Sequence, residues 1–277
     1  MTKIIDGKKI AQKIADDLTV KVSELKAQGV TPKLVNIGIK PDKRAKVYIR
    51  LKDRIATQIG ITYEYHDLSN KPQEECLQHV AELAKDNSVH GIIVQLPMHG
   101  WYDPQILLNI IPLNKDVDGL SDQSLLALKS NTAQIIPATP LAILELLKQS
   151  NVDLQEKTVT IVGQGKLVGL PLGIILQNLV LRVLTADIHT SNLAELTKQA
   201  DVIVSATGQA GLIAADTITE GCVVLDAGII EVNGKLHGDV DFESVNGKAG
   251  MISPVPGGVG PMTVVMLLSN VVNAACK

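Results

Sequence analysis

Gly163-Gln164-Gly165-Lys166-Leu167-Val168-Gly169 is the stretch that decides how this chain folds. It follows the β-branched run Thr158 to Val162 and opens an apolar segment, so it reads as a strand-to-helix turn. Small residues at such a turn let a pyrophosphate approach backbone N–H groups at the positive end of a helix. The spacing is G-x-G-x-x-x-G and not G-x-G-x-x-G, so the motif alone is weak, and a plain strand-to-helix turn competes with it. The residues downstream strengthen it. Short apolar runs recur at Val183 to Asp187, Val202 to Ala206 and Cys222 to Asp226.

Small residues then close several of these runs, in Ser205-Ala206-Thr207-Gly208, Asp226-Ala227-Gly228-Ile229 and Ser253-Pro254-Val255-Pro256-Gly257-Gly258-Val259-Gly260. Open parallel sheets bind ligands at the carboxyl ends of their strands. The expectation is a Rossmann-type dinucleotide-binding domain over residues 140–261, entered through a helix from Leu141 to Gln149 with Pro140 in its first turn.

Upstream the same alternation appears. An amphipathic helix is predicted from about Gly7 to Gln28, a strand at Leu34 to Ile39, a helix at Val47 to Ile59 and a strand at Ile61 to His66. A helix at Pro72 to Asp86 and a strand at Gly91 to Leu96 come next, which makes one parallel sheet with crossover helices. From Trp101 to Thr139 the pattern loosens into Asp, Asn and Ser. A second α/β domain therefore occupies residues 1–139. The chain closes on Pro261-Met262-Thr263 and an apolar helix to about Ala274, which by pattern alone can pack on either domain.

Composition agrees with two α/β domains. The chain has 277 residues, longer than one ordinary domain, and is 45% hydrophobic. Aromatics are only 2%, so the cores rest on Val, Ile, Leu and Ala, as buried parallel strands require. The net charge of −3 is spread along the sequence without a basic stripe, which argues against nucleic acid. Cys76, Cys222 and Cys276 are odd in number and lack metal-ligand spacing. With no apolar run near membrane length and no signal-peptide pattern at the start, they point to a reducing, cytoplasmic setting and to no membrane partner. His66, His79, His90, His99 and His237 show no metal-type spacing, and no metal is expected.

The first half carries the chemistry. Tyr48 and Lys52 are four apart on a predicted helix and so share one face. Such pairs are commonly solvated, but Gln95 ends an otherwise apolar run in Val94-Gln95-Leu96-Pro97, and Lys115-Asp116-Val117-Asp118-Gly119 stands in the loosened stretch. A Tyr-x-x-x-Lys pair also occurs in short-chain dehydrogenases. There it comes after the glycine loop within one domain, whereas here it precedes Gly163 by more than a hundred residues, and the order excludes that family.

Taken with Pro254-Val255-Pro256-Gly257-Gly258-Val259-Gly260-Pro261-Met262-Thr263, these motifs resemble, in the same order, those of the bifunctional methylenetetrahydrofolate dehydrogenase/methenyltetrahydrofolate cyclohydrolase family. The resemblance spans essentially the whole chain. It implies a folate-binding catalytic domain, with helix 262–277 returning to it, a Rossmann-type domain for NAD(P), a cleft between the two, and a homodimer.

It also implies residue roles. Lys52 is the catalytic base or polariser, Tyr48 packs on the folate and orients Lys52, Gln95 bonds Lys52, and Asp118 grips the pterin. Val94, Leu96, Pro256, Gly257 and Gly258 complete the substrate set. The dinucleotide falls to Gly163, Gln164, Gly165, Lys166, Val168, His189, Thr190, Ala206, Gly208, Gly228, Ile229 and Thr263. An ordinary lysine, with a pKa of about 10.4, is a poor base at neutral pH, so burial must lower it. An ionised Asp118 suits the donor edge of an aminopterin ring, whereas Asp116 reads as a turn residue capping the segment after it.

Three departures from the family pattern stand out. Gln164 and Gly165 replace an arginine and a serine that hold the 2′-phosphate of NADP, and Asp187 lies about 22 residues past Gly165, where an NAD-type fold places a ribose-binding acid. NADP is the family's usual cofactor; the departures weaken its discrimination and admit NAD, with Lys166 as a replacement charge. Ala45 replaces a serine, and the loop Lys40 to Lys46 is longer and more basic. Ala138 replaces a cysteine outside the catalytic set. Two other readings compete: a shikimate-type two-domain dehydrogenase of another small acid, and a non-catalytic dinucleotide-binding sensor. The first does not require Gln95 or the Pro254 to Thr263 segment, and the second tolerates loss of Lys52, whose presence argues against it.

Overall fold

The computed structural model describes residues 1–99, 103–179, 181–232 and 234–276. The chain begins with a short strand, β1 (Lys3–Ile4), and runs into a helix, α1 (Gly7–Ala27), where the Asp6 carboxylate accepts from Lys9 N at 3.0 Å. Within α1 it passes from one compact unit to another: Met1–Ala11 cluster with Thr139–Thr263, and Gln12–Ala138 cluster with Val264–Lys277. The first eleven residues, expected in the N-terminal domain, thus belong with residues 139–263. The reason is β1, which pairs in parallel with a strand near residue 251.

The unit holding Gln12–Ala138 is built on β2 (Lys33–Gly38), whose side chains alternate between two environments. Val35 and Ile37, with Ile39 beyond them, enter an apolar core with Val80, Ile92 and Val94. Each such side chain contributes roughly 1.5–3 kcal/mol when fully buried. Asn36 faces the other way and is also fully buried. After β2 comes α2 (Lys43–Ile59), capped by Asp42, whose carboxylate accepts from Ala45 N at 2.7 Å. The helix therefore starts four residues before Val47, and most of the expected loop at 40–46 is its first turn. The cap explains the difference, because it satisfies a backbone N–H that an amphipathic pattern alone does not register.

Next are β3 (Thr62–Asp67), α3 (Gln73–Lys85) and β4 (Gly91–Val94), and the sheet order β3-β2-β4 is parallel throughout. The stretch expected to be loose carries two further helices, α4 (Pro104–Leu108) and α5 (Asp122–Lys129), started by Asp103 and Ser121 as N-caps. Trp101, where that stretch was expected to begin, lies outside the described residues.

The other unit takes α6 (Ala138–Gln149), β5 (Thr158–Val162), α7 (Gly169–Asn178), β6 (Arg182–Ala186), α8 (Leu193–Thr197), β7 (Val202–Ser205) and β8 (Val223–Asp226). An antiparallel ribbon, β9 (Ile230–Val232) with β10 (Lys235–His237), precedes α9 (Phe242–Val245) and β11 (Met251–Ile252). The main sheet runs β1-β11-β8-β7-β5-β6, parallel throughout. Neither the ribbon nor the β1–β11 pairing is visible in periodicity, because two- and three-residue strands are too short to show a period.

The last helix, α10 (Val259–Ala275), starts three residues earlier than expected, and its Asn270 donates to Val117 O and Ile136 O, both at 2.9 Å. No helix among the described residues is long and apolar enough to cross a membrane.

Candidate active site

Lys52 lies one turn after Tyr48 on α2, and β4 delivers Gln95 directly beyond its last residue. The sheet fixes that delivery, since Gln95 N donates to Ile37 O at 2.7 Å. Lys52 Nζ then donates to Gln95 Oε1 at 3.0 Å, so residues 43 apart in sequence meet as one unit. Burial pulls the Lys52 ammonium below its ordinary pKa, and the Asp118 carboxylate opposes that shift. Burial likewise raises the Tyr48 hydroxyl.

The motif at 115–119 divides its labour. Lys115 is buried and donates to Ala84 O at 2.9 Å and Asp86 O at 2.7 Å, a cation closing the carboxyl end of α3. Asp116 accepts from Gly119 N at 3.0 Å, Ser121 N at 2.9 Å and Ser124 Oγ at 2.6 Å, and so anchors the turn leading into α5. Asp118, held between these anchors, has its carboxyl raised by burial; Lys52 opposes the shift and Asp116 adds to it. A half-buried carboxylate beside a half-buried lysine, with its neighbours already committed to structure, is suited to take a ligand's donors.

Of the other substrate residues expected here, Val94 packs in the apolar core and Leu96 lies against it. Pro256, Gly257 and Gly258 stand in the other unit, where Gly257 O accepts from Lys8 N at 3.1 Å and Gly258 N donates to Pro254 O at 2.7 Å.

In the nucleotide-binding unit the chain leaves β5 for β6 on one side and later returns to β7 on the other, so strand order reverses between β5 and β7. Dinucleotides bind at that kind of reversal. Gly163, at φ +97°, stands there with no room for a side chain, because a Cβ would lie 2.5 Å from Ala206 O. At Gly169 the Cβ position is filled by the carbonyl oxygen of Gly163. A Cβ on Gly165 would meet nothing within 4 Å. Two of the three glycines are thus demanded by backbone packing, and the third borders open space. Gln164 turns its amide back on the turn, at 3.3 Å from Gly163 O, while Lys166 is exposed.

Around the other strand ends, Asp187 is engaged locally: its Oδ1 accepts from His189 N at 2.9 Å, and Thr190 Oγ1 accepts from Asp187 N at 2.9 Å. Asp187, His189 and Thr190 form one turn at the end of β6. Thr263 Oγ1 donates to Val259 O at 3.2 Å in its own helix.

Two buried carboxylates brace the remaining strand ends. Asp239 accepts from Ser205 Oγ at 2.7 Å, Thr207 N at 2.6 Å and Gln209 N at 3.0 Å, while Asp226 accepts from Gly228 N, Asp239 N and Val240 N at 2.9–3.0 Å. Burial pushes the Asp226 carboxyl up to about 6. They shape the backbone around Ala206, Gly208, Gly228 and Ile229.

The matches to known proteins cover both halves. A family model described as the tetrahydrofolate dehydrogenase/cyclohydrolase catalytic domain matches residues 5–118, and the NAD(P)-binding domain of the same family matches residues 137–277. The chain belongs to the tetrahydrofolate dehydrogenase/cyclohydrolase family. It is 43% identical to the bifunctional protein FolD of Lactobacillus acidophilus, over 98% of this chain and 96% of that protein. Its fold is similar to the crystal structure of the bifunctional FolD enzyme of Campylobacter jejuni, with a TM-score of 0.97 and 37% identity over 100% and 99% of the two chains. It is similar as well to the Trypanosoma brucei methylenetetrahydrofolate dehydrogenase-cyclohydrolase solved with NADP and an inhibitor, with a TM-score of 0.94 and 34% identity over 99% and 97%. The shikimate-type reading gives way to this membership.

Sequence reasoning passed over Asn36, Tyr63 and Asp239. Asn36 had a signal of the same kind as Gln95, a carboxamide inside an apolar strand. Asp239 had none, because its partners come from residues 30 to 34 positions away.

Proposed function

We propose that this chain oxidises 5,10-methylenetetrahydrofolate to the 5,10-methenyl form with a nicotinamide dinucleotide, and then hydrolyses that cation to 10-formyltetrahydrofolate, with Lys52 serving the hydrolytic step. The observation that carries the reading is the Lys52 Nζ–Gln95 Oε1 hydrogen bond beside the Asp118 carboxylate. A dinucleotide fits the glycine turn, because Gly163 and Gly169 pack backbone against backbone where a Cβ would intrude. Gly163, Gly165 and the first turn of α7 would hold its phosphates, and when bound it supplies the acceptor for the hydride leaving the folate methylene carbon.

The side chains of this chain bind, orient and move protons. Asp118 accepts from the N–H edge of the pterin and sets the distance of the one-carbon bridge from Lys52. Tyr48 supplies a flat face one helical turn from Lys52. In hydrolysis, water oxygen bonds to the methenyl carbon and its proton passes to neutral Lys52 Nζ. The bond from that carbon to N5 then breaks as the remaining proton of the added hydroxyl passes to N5, leaving the formyl group on N10. A lysine lowered by burial has the neutral amine available for this.

Purified protein mixed with methylenetetrahydrofolate and NADP or NAD should reduce the dinucleotide and form the methenyl chromophore transiently. No reduction with either cofactor would overturn the reading. Lys52→Met should lower hydrolysis by about 10²-fold or more, and full hydrolytic turnover in that variant would remove Lys52 from its role. The pH profile of hydrolysis should rise to a plateau with a midpoint below about 10.4, because the neutral amine is the active form. We read both NADP and NAD as usable, since Gln164 and Gly165 offer neither a cation nor a hydroxyl to a 2′-phosphate. A preference for NADP above a hundredfold ends that part of the reading. A homodimer is the assembly proposed, checked by light scattering.

A further inference from the structure

Asn36 is buried in the middle of β2, in the run Leu34-Val35-Asn36-Ile37, where an apolar side chain would avoid dehydrating a carboxamide. Its Nδ2 donates to Tyr63 Oη at 2.8 Å and to Gln95 Oε1 at 3.3 Å, and its Oδ1 has no partner among the described residues. That pattern fixes the orientation of the amide. Turned over, Asn36 would set oxygen against Gln95 oxygen and bury two N–H groups without acceptors, which is worse than one orphaned carbonyl.

Gln95 is fixed in turn. Its Oε1 receives N–H groups from Asn36 and from Lys52, and its Nε2 donates to Leu96 O at 3.0 Å. We propose that Asn36 is a positioning residue for hydrolysis, locking the Gln95 carboxamide with its oxygen toward Lys52 and itself anchored by Tyr63. This rests on the roles given above to Lys52 and Gln95.

The two ends of a carboxamide are nearly equal in shape and opposite in chemistry. Facing Lys52 with oxygen, Gln95 takes one N–H of the neutral amine and leaves the nitrogen lone pair free to receive a proton from water. Facing it with nitrogen, Gln95 would donate into that lone pair and occupy it. Burial raises the Tyr63 hydroxyl well above its ordinary range, so Tyr63 stays neutral and the chain Tyr63–Asn36–Gln95–Lys52 holds at working pH.

The test is a set of variants assayed for methenyltetrahydrofolate hydrolysis. Asn36→Leu keeps most of the volume and removes the donor; kcat should fall about tenfold while KM stays within about twofold, and in a Gln95→Leu background the same change should cost nothing further. Tyr63→Phe, which deletes one hydroxyl and leaves the sheet packing intact, should lower kcat in the same direction by about threefold. Competitive acetylation of Lys52, read by peptide mass, needs no turnover. There Asn36→Leu and Tyr63→Phe should move the titration midpoint of Lys52 down, because a freed Gln95 amide can donate to the neutral amine.

Unchanged kcat and an unmoved Lys52 midpoint in both variants would overturn the proposal. So would a loss of equal size with and without Gln95. Full hydrolysis by Lys52→Met is a separate outcome: it removes the reading of the site on which the proposal stands.

Discussion

Gly165 is the glycine of the nucleotide turn with room beside it. A Cβ there meets nothing within 4 Å, whereas Gly163 and Gly169 are closed by backbone. The double change Gln164→Arg with Gly165→Ser should therefore be accepted without strain and should raise kcat/KM for NADP relative to NAD by about tenfold or more, through a charge-assisted contact to the 2′-phosphate. Steady-state kinetics with both cofactors checks it; an unchanged ratio would mean that discrimination lies elsewhere. Asp226 gives a second prediction at this scale. Its folded carboxyl titrates at about 6 against about 3.9 for an unfolded aspartate, so the stability it contributes is fully present below about pH 4 and is lost as pH rises through 6. Between pH 4 and 7 the wild type should lose on the order of 2 kcal/mol relative to Asp226→Asn, seen as a difference in the slope of Tm against pH. Parallel slopes would show that the burial of this carboxyl is relieved in another way.

At the scale of elements, the turn from β5 to α7 is closed by backbone packing, because the Gly163 carbonyl oxygen fills the position a Gly169 Cβ would take. Gly169→Ala should cost about 1–3 kcal/mol by forcing the helix off the strand, and should weaken dinucleotide binding more than folate binding. Thermal unfolding and calorimetric titration with each ligand separate those effects. The elements legible in the sequence were those that bury one full face. β2, β4, β5 and β7 announced themselves by β-branched runs, and α2 and α3 by apolar spacing. The elements that the sequence obscured were set by capping and by distant pairing. Asp42 started α2 earlier than its apolar stripe, Asp103 and Ser121 started helices in a polar stretch, and β9, β10 and β11 exist only through their partners. The site divides in the same way. Lys52, Gln95 and Asp118 were legible through family motifs, while Asn36 and Asp239 take their meaning from contacts across the sheet.

At the scale of the molecule, the contribution of Met1–Ala11 to the nucleotide-binding unit has a direct test. β1 pairs with β11, Thr2 Oγ1 donates to Ala249 O at 2.7 Å, and Gly247 N donates to Thr2 Oγ1 at 2.7 Å. Deleting residues 1–5 strips an edge strand from a sheet more than a hundred residues away in sequence, and should lower stability by about 2–4 kcal/mol with loss of dinucleotide affinity before loss of folate affinity. Denaturant unfolding and ligand titration of the truncated protein check the order of those losses. Periodicity could not have placed β1, since two residues carry no pattern and their partner comes from the far end of the chain.

The same feature constrains how this sequence can be recombined with its relatives. A crossover near residue 138 looks like the exchange of a whole domain, yet the incoming half arrives without the β1 that grew up with its β11, and the outgoing half keeps a strand fitted to a sheet it no longer serves. A chimera with one junction inherits mismatched edges, whereas exchange that also carries codons 1–11 and stops near residue 263 moves one self-consistent unit. Breakpoints tolerated in a library of such hybrids should therefore cluster within α1, at the start of α6 and within α10.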